Sequence, residues 1–391
     1  MRSDMPSLTR ARVAVYALFA TFGLVIGTWA VHLPNLKQAT GISTSLLGTV
    51  VLILGAGALV GMRLSAPLID RFGGGRIAVV GCCLMALVIP APFLTTTFTA
   101  AAVTAAALGI ATGTADVAMN AAAVVVERRY GRPIMASFHG VFSVGTVLGS
   151  LLSAAGFALD VGVLPVVITV GVCCLLAVGA VAPVLLRPSA ADADAEPPPR
   201  PDDRDEPSPR RPRRVYVLAV LSFLLFLSEG SAMDWSSLHA QQHLGASSTW
   251  GSIAFGAFVG AMTFGRFTVD RLAGRVGPGA VFRWGSVVAL IGLAVVVLSP
   301  VLPLTLVGWV ITGLGLAGGM PQVFTAAGNV DATSGRSLAL VVGVGYAAIL
   351  GGPAVLGWVA EQLTLNDALI IPLCAVLLCA CLARAVEPQR T

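Results

Sequence analysis

Charge is what this chain has little of. Only 11% of its 391 residues are Asp, Glu, Lys or Arg, against about 25% in an ordinary soluble domain, while 56% are hydrophobic. With a mean hydropathy of +0.88, a water-soluble globule is excluded. The net charge of +5 does not build a nucleic-acid face, because the arginines are dispersed between apolar runs. Disulfide-type and metal-type cysteine spacings are also missing. All seven cysteines (Cys82, Cys83, Cys173, Cys174, Cys374, Cys379, Cys381) lie inside apolar runs, where they serve as small hydrophobes. No Gly-rich nucleotide loop, paired-His metal site or Gly-x-Ser-x-Gly turn occurs. ATP-driven transport and hydrolase chemistry lose their usual signatures, and neither a cofactor nor a bound metal is expected. An enzyme is not expected either.

What is present is a series of apolar runs of about 18–25 residues, each long enough to cross a bilayer as a helix. Twelve are counted, near 13–33, 46–68, 77–96, 98–124, 134–157, 163–186, 214–236, 250–269, 280–299, 302–325, 337–360 and 366–386. The run after Arg2, Arg10 and Arg12 is too long for a signal core and is read as a retained first span. The fold class expected is an all-α membrane protein with two six-helix bundles, 1–186 and 214–391. The linker between them, 187–213, is rich in Pro, Asp, Glu and Arg and is expected to be a disordered cytoplasmic tether. Of 24 Lys and Arg residues, only Lys37 falls on the side opposite the termini, so both termini are expected in the cytoplasm.

The two halves echo one another. Asp70-Arg71-Phe72-Gly73-Gly74-Gly75-Arg76 follows the second span and Asp270-Arg271-Leu272-Ala273-Gly274-Arg275 follows the eighth, an offset of 200 residues (270 − 70). Upstream, Gly57-x-x-x-Gly61 is matched by Gly256-x-x-x-Gly260, a spacing that lets helices approach closely. These loops resemble the cytoplasmic signature loop of the major facilitator superfamily. More narrowly, Asp116-Val-Ala-Met-Asn120, Glu127 to Pro133, Ser137-Phe-His-Gly140 and Ser228 to Trp235 resemble its YbjJ-like bacterial inner-membrane branch. Ala66 replaces the usual first Gly, and the buried Arg of many drug/proton antiporters is missing from the fourth span. The resemblance implies a central cavity between two bundles, lined by the first, fourth, seventh and tenth helices. It also implies a conformational role for the loop residues Asp70, Arg71, Arg76, Asp270, Arg271 and Arg275.

Ionisable residues deep in apolar helices are the candidates for chemistry, since a carboxylate at mid-bilayer costs about 2.5–3.5 kcal/mol even on lenient scales. Asp116, Asn120 and Glu127 share a face of the fourth span. Asp116 is expected to carry protons, whereas Glu127, beside Arg128 and Arg129, is expected in an interfacial ion pair. On the fifth span His139, Ser143, Thr146, Ser150 and Ser153 form one polar stripe, which must face a wet cavity or another helix. His139 is its side chain best suited to change charge near neutral pH. Glu229 on the seventh span is a second proton-coupling carboxylate, and Asp234 is expected nearer the outer surface. Trp29 and Trp235 are candidate cavity walls or interfacial anchors, and Gln322, Asn329 and Tyr346 are weaker substrate-binding entries. Arg63 and Arg266 are expected to snorkel to the interface.

These residues point to a secondary transporter moving a small organic solute by alternating access in the inner membrane, coupled to protons through Asp116, His139 and Glu229. Its partners would be the solute, protons and lipid, with no nucleic acid, and a monomer suffices. Export of a drug or metabolite, uptake of a sugar-like nutrient, and a non-transporting sensor on the same fold stay open at this stage.

Overall fold

The structure is a computed structural model that describes residues 5–130, 134–186, 213–328, 330 and 336–387. Most of the 187–213 linker and Asn329 lie outside the described residues. Twelve helical segments are long and apolar enough to span a membrane, and no strand occurs among the described residues. The amino half holds α1 Met5–Thr40, α2 Thr44–Phe72, α3 Gly74–Val88, α4 Phe98–Tyr130, α5 Met135–Ala158 and α6 Val163–Leu185. The carboxyl half holds α7 Arg213–Leu244, α8 Ser248–Val276, α9 Pro278–Leu298, α10 Leu302–Leu316, α11 Gly319–Gly328, α12 Arg336–Gln362, α13 Leu365–Ala368 and α14 Ile370–Leu382. The tenth span is α10 plus α11, broken at Ala317–Gly318. Pro321 explains the break: it has no N–H to offer the Ala317 carbonyl and its ring crowds that oxygen. The end at which α2 meets α3 and α8 meets α9 is called proximal below, and the opposite end distal.

Backbone conformation gives the register of the duplication. Gly41 and Gly245 close α1 and α7 with φ of +64° and +63°, and Gly73 and Gly277 join α2 to α3 and α8 to α9 with φ of +87° and +88°. Such angles strain any residue with a Cβ. Ser43 and Ser247 stand at the amino ends of α2 and α8. All three pairs are 204 residues apart (245 − 41, 277 − 73, 247 − 43). The 200-residue offset of the charged loops is therefore not the structural register. Asp270 stands four residues, about one helical turn, before Gly274, the true counterpart of Asp70.

With no hydrophobic drive between lipid-bathed helices, close packing must come from small residues. A Cβ at Gly109 or Gly113 of α4 would overlap the carbonyl oxygen of Leu54 or Ala58 on α2, and one at Gly57 or Gly61 would overlap those of Ala106 or Ile110 on α4. Gly23 and Gly27 of α1 mesh in the same way with the backbone of Phe142 and Thr146 on α5. At the 204 register, Gly313 of α10 lies against Phe258 and Met262 of α8, as Gly109 lies against Leu54 and Ala58. The expected match of Gly57 and Gly61 with Gly256 and Gly260 fails on this point. Gly256 and Gly260 look out of their bundle, toward Ser150 and Val147 of α5, while Gly265 is the counterpart of Gly61. The halves meet where α2 packs on α12 and α5 on α8.

Candidate functional site

The seam between the halves is sealed at its distal end. A Cβ at Gly48 of α2 would lie 2.6 Å from the Pro353 carbonyl oxygen of α12, and at Gly357 it would lie 2.8 Å from the Thr44 carbonyl oxygen and 3.3 Å from the Trp235 indole. Trp235 is 1% exposed and plugs this joint. The Ser45 N–H donates to Glu361 Oε2 at 3.3 Å, Trp358 Nε1 donates to Thr49 Oγ1 at 3.4 Å, and Lys37 interacts electrostatically with Glu361. A seal of backbone contacts, one indole and a few weak polar bonds is firm yet separable.

Nearer the proximal end, Asp116, Asn120, Glu229 and Arg266 are half-buried and His139 and Tyr346 are exposed. The α4 face that carries Gly109 and Gly113 continues one turn further as Asp116 and Asn120, both half-buried. Asn120 Nδ2 donates to Asp116 Oδ1 at 3.1 Å and to the Asp116 carbonyl oxygen at 2.9 Å. No basic side chain pairs with Asp116 among the described residues. Across the seam, Tyr346 of α12 lies within electrostatic reach of Asp116. Its ring is 5.9 Å from that of Phe226 on α7, which in turn is 6.1 Å from Phe324 on α11.

A second group draws on α5, α7 and α8. Glu229 of α7 accepts from Arg266 of α8 at 2.8 Å, with side chains 15% and 36% exposed respectively. His139 of α5 is exposed, stands edge-on to Phe19 at 5.2 Å between ring centroids, and feels the charge of Arg266 across the seam. The next residues on each helix, Gly140 and Phe267, touch, which holds His139 and Arg266 on facing sides of the α5–α8 joint. Arg266 thus turns inward to a carboxylate rather than snorkelling to the interface, because an unpaired Glu229 within the bundle would be costly.

A near-complete sequence match decides which family this is. Residues 14–353 match the model of the Major Facilitator Superfamily. The chain belongs to that superfamily. It is 31% identical over 377 residues to an uncharacterised transporter of this type from Yersinia pestis, covering 96% of this chain and 95% of that one. It is 30% identical over 354 residues to an uncharacterised transporter of Sinorhizobium fredii, covering 90% and 92%. Among solved structures, the nucleoside transporter NupG superposes with a TM-score of 0.74 at 14% identity over 98% of both chains, which shows the fold.

Other residues singled out by sequence lie elsewhere in this major facilitator chain. The hydroxyls of Ser143, Thr146, Ser150 and Ser153 are buried, and each donates to a carbonyl of its own helix, His139, Phe142, Val147 and Gly149 respectively. The stripe below His139 thus satisfies itself within helix contacts. Trp29 packs on Phe93 within the amino half at 5.8 Å. Gln322 is buried on α11 just after the break, and Asp234 is half-buried on α7. Glu127 Oε2 accepts the Ile134 N–H at 2.7 Å, tying the α4 end to the start of α5. Asp70, Arg71, Arg76, Arg271 and Arg275 are exposed at the proximal end.

Two groups escaped sequence reasoning. Arg12 donates to Tyr16 Oη (2.9 and 2.6 Å) and Tyr130 Oη (3.1 Å), and Tyr16 Oη meets Ser137 Oγ at 2.7 Å, clamping α1, α4 and α5 together. Only the i, i+4 spacing of Arg12 and Tyr16 hinted at it. His32 and His239 are fully buried distally, partnered by Asn35 and Asn366. A histidine in an apolar helix gives no sequence sign of which amide will meet it.

Proposed function

We propose that this chain is a secondary transporter that carries a small organic solute across the cytoplasmic membrane by alternating access, driven by protons. The observation that supports this most directly is Asp116: a half-buried carboxylate in the seam, hydrogen-bonded to Asn120 and without a basic partner among the described residues. Such a group is most easily accommodated neutral, so taking up and releasing a proton changes the cost of closing the seam around it. His139 and the Glu229–Arg266 pair lie on the same route, and protonation of Glu229 would release Arg266. The excess of arginine at the proximal end supports a cytoplasmic position for that end. The seal of α2, α12 and Trp235 at the distal end, with half-buried and exposed side chains nearer the other end, supports reading this form as the inward-facing one, and the reciprocal form follows when that seal parts.

The test uses reconstituted protein with the pH dye pyranine inside the vesicles. Pools of amines, nucleosides, sugars and carboxylates are added in turn, and the pool containing the cargo should move protons. Asp116→Asn should reduce that movement to the level of empty vesicles. If the variant moved protons as the parent does, Asp116 would have no coupling role.

A further inference from the structure

Which class of solute fits the seam follows from its charges and rings. Arg266, which lies at the α5–α8 joint, is already engaged by Glu229 at 2.8 Å, so the two charges offset one another. Asp116 has no basic partner among the described residues, and neither has Asp234, which sits on α7 next to the distal Trp235; a carboxylate in a poorly hydrated setting attracts a cation far more strongly than it would in water. On the other half Tyr346 lies within electrostatic reach of Asp116, and its ring leads through Phe226 to Phe324, three rings on three helices. Tyr346 is 38% exposed although it lies well inside α12, so its ring borders open space rather than packed core. The rings are placed in advance: a Cβ at Gly345 would press on Ser222 Oγ and the Phe226 ring, so α12 rests directly on α7. Asn120 donates to Asp116 through Nδ2, leaving its carbonyl oxygen to accept from a ligand N–H.

Resting on the reading of the seam as the transport route, we propose that the cargo is an organic monocation: a protonated amine or quaternary nitrogen on a flat or apolar body. The nitrogen binds at Asp116 and Asn120, and the body lies on Phe226, Phe324 and Tyr346, whose ring faces favour positive charge. A carboxylate cargo would meet Asp116 with repulsion. A polyhydroxylated neutral cargo would leave most of its hydroxyls facing rings.

One carboxylate then serves both ions, because Asp116 holds either the proton or the cation. Binding one expels the other, which makes the cycle an exchange: protons enter as the amine leaves. Of the titratable and charged side chains around Asp116, Tyr346 on α12 interacts with it. His139 on α5 interacts with Arg266, and Arg12 on α1 donates to Tyr16 and to Tyr130. Arg63 and Asp70 on α2 and Arg76 on α3 are exposed.

The test is calorimetry on the purified full-length protein with three probes that share one phenyl ring: 2-phenylethylammonium, 2-phenylethanol and 3-phenylpropionate. The ammonium should bind about tenfold more tightly than the alcohol, with the carboxylate weakest. Acidification should weaken the ammonium alone. Asp116→Asn should abolish the preference for the cation, and Phe226→Ala should weaken ammonium and alcohol alike. Equal binding of the three probes, no binding by any, or a cation preference that survives in a monodisperse Asp116→Asn protein would overturn the assignment. Proton movement is scored separately with pyranine. A variant that loses the cation preference yet still moves protons sinks the coupling role and leaves the cargo class standing, and the opposite result does the reverse.

Discussion

The fourth span and its counterpart, the tenth, occupy equivalent places 204 residues apart, and their backbones share a contact. Gly109 lies on Leu54 and Ala58 as Gly313 lies on Phe258 and Met262. Beyond that contact they diverge. α4 runs unbroken to Tyr130 and carries Asp116 and Asn120, whereas the tenth span breaks at Ala317–Gly318 and presents Met320 and Phe324 at the same positions. The first helix of each half differs in the opposite sense: Glu229 of α7 and Arg266 of α8 form an ion pair where the amino half has Val25 and Met62. The duplication preserved the packing and distributed the chemistry unequally. Two copies of a carboxylate at one depth would repel each other and double the desolvation cost, and a single acid avoids both.

That contrast can be broken most severely in the packing. Gly113→Ala places a methyl group on the Ala58 carbonyl oxygen and should cost about 3 kcal/mol or more, seen as loss of monodisperse protein on size exclusion. The mirror change, Ala317→Gly at the existing break, should cost about 1 kcal/mol or less. Equal losses would mean that the two spans bear the same load. Next in size is the exchange Asp116→Met with Met320→Asp, which keeps composition but moves the acid to the other half. Solute-driven proton movement should stay at background, and recovery would show the halves to be chemically interchangeable. Smaller is Glu229→Gln, which leaves Arg266 without its carboxylate. Because Arg266 is 36% exposed, the expected loss is about 1 kcal/mol rather than the several typical of a fully buried pair, and Glu229→Gln with Arg266→Gln should recover most of it in a thermal melt. The smallest effect is expected at the distal seal. Glu361→Gln weakens the Ser45 and Lys37 contacts and should raise thiol labelling of a Thr49→Cys reporter by about two- to threefold, a shift of under 1 kcal/mol.

Much of the architecture could be read in the amino acids because bilayer crossing is a local property. An apolar run of some twenty residues must be helical, since hydrocarbon offers its backbone no other partner. All twelve expected spans have a helical counterpart among the described residues. The register of the repeat was less legible. The charged loops stand out by eye and suggest 200 residues, yet the positive-φ glycines, which tolerate no replacement without strain, stand 204 apart, a register at which Arg71 meets Arg275 and only the acid is displaced by one turn. At the seam, Asp116 with Asn120 announced itself through a one-turn spacing and a carboxylate out of place in an apolar helix. The Glu229–Arg266 pair did not, because its members are 37 residues apart on antiparallel neighbours. The serine and threonine stripe of α5 left two readings open, a wet cavity or another helix, and the structure gives the helix contact: hydroxyls in helices can bond their own carbonyls, so polarity alone does not mark a wet surface.

By itself the sequence determined that this protein crosses a membrane many times, that it is duplicated, and that a few charges sit where charge is expensive. Those properties follow from composition, period and the cost of burying ions, none of which needs a partner helix. Only the tertiary structure decided which charges are already offset and which ring faces which acid. Helix packing alone sets those distances, and it brings residues more than two hundred positions apart, such as Asp116 and Tyr346, into one electrostatic neighbourhood.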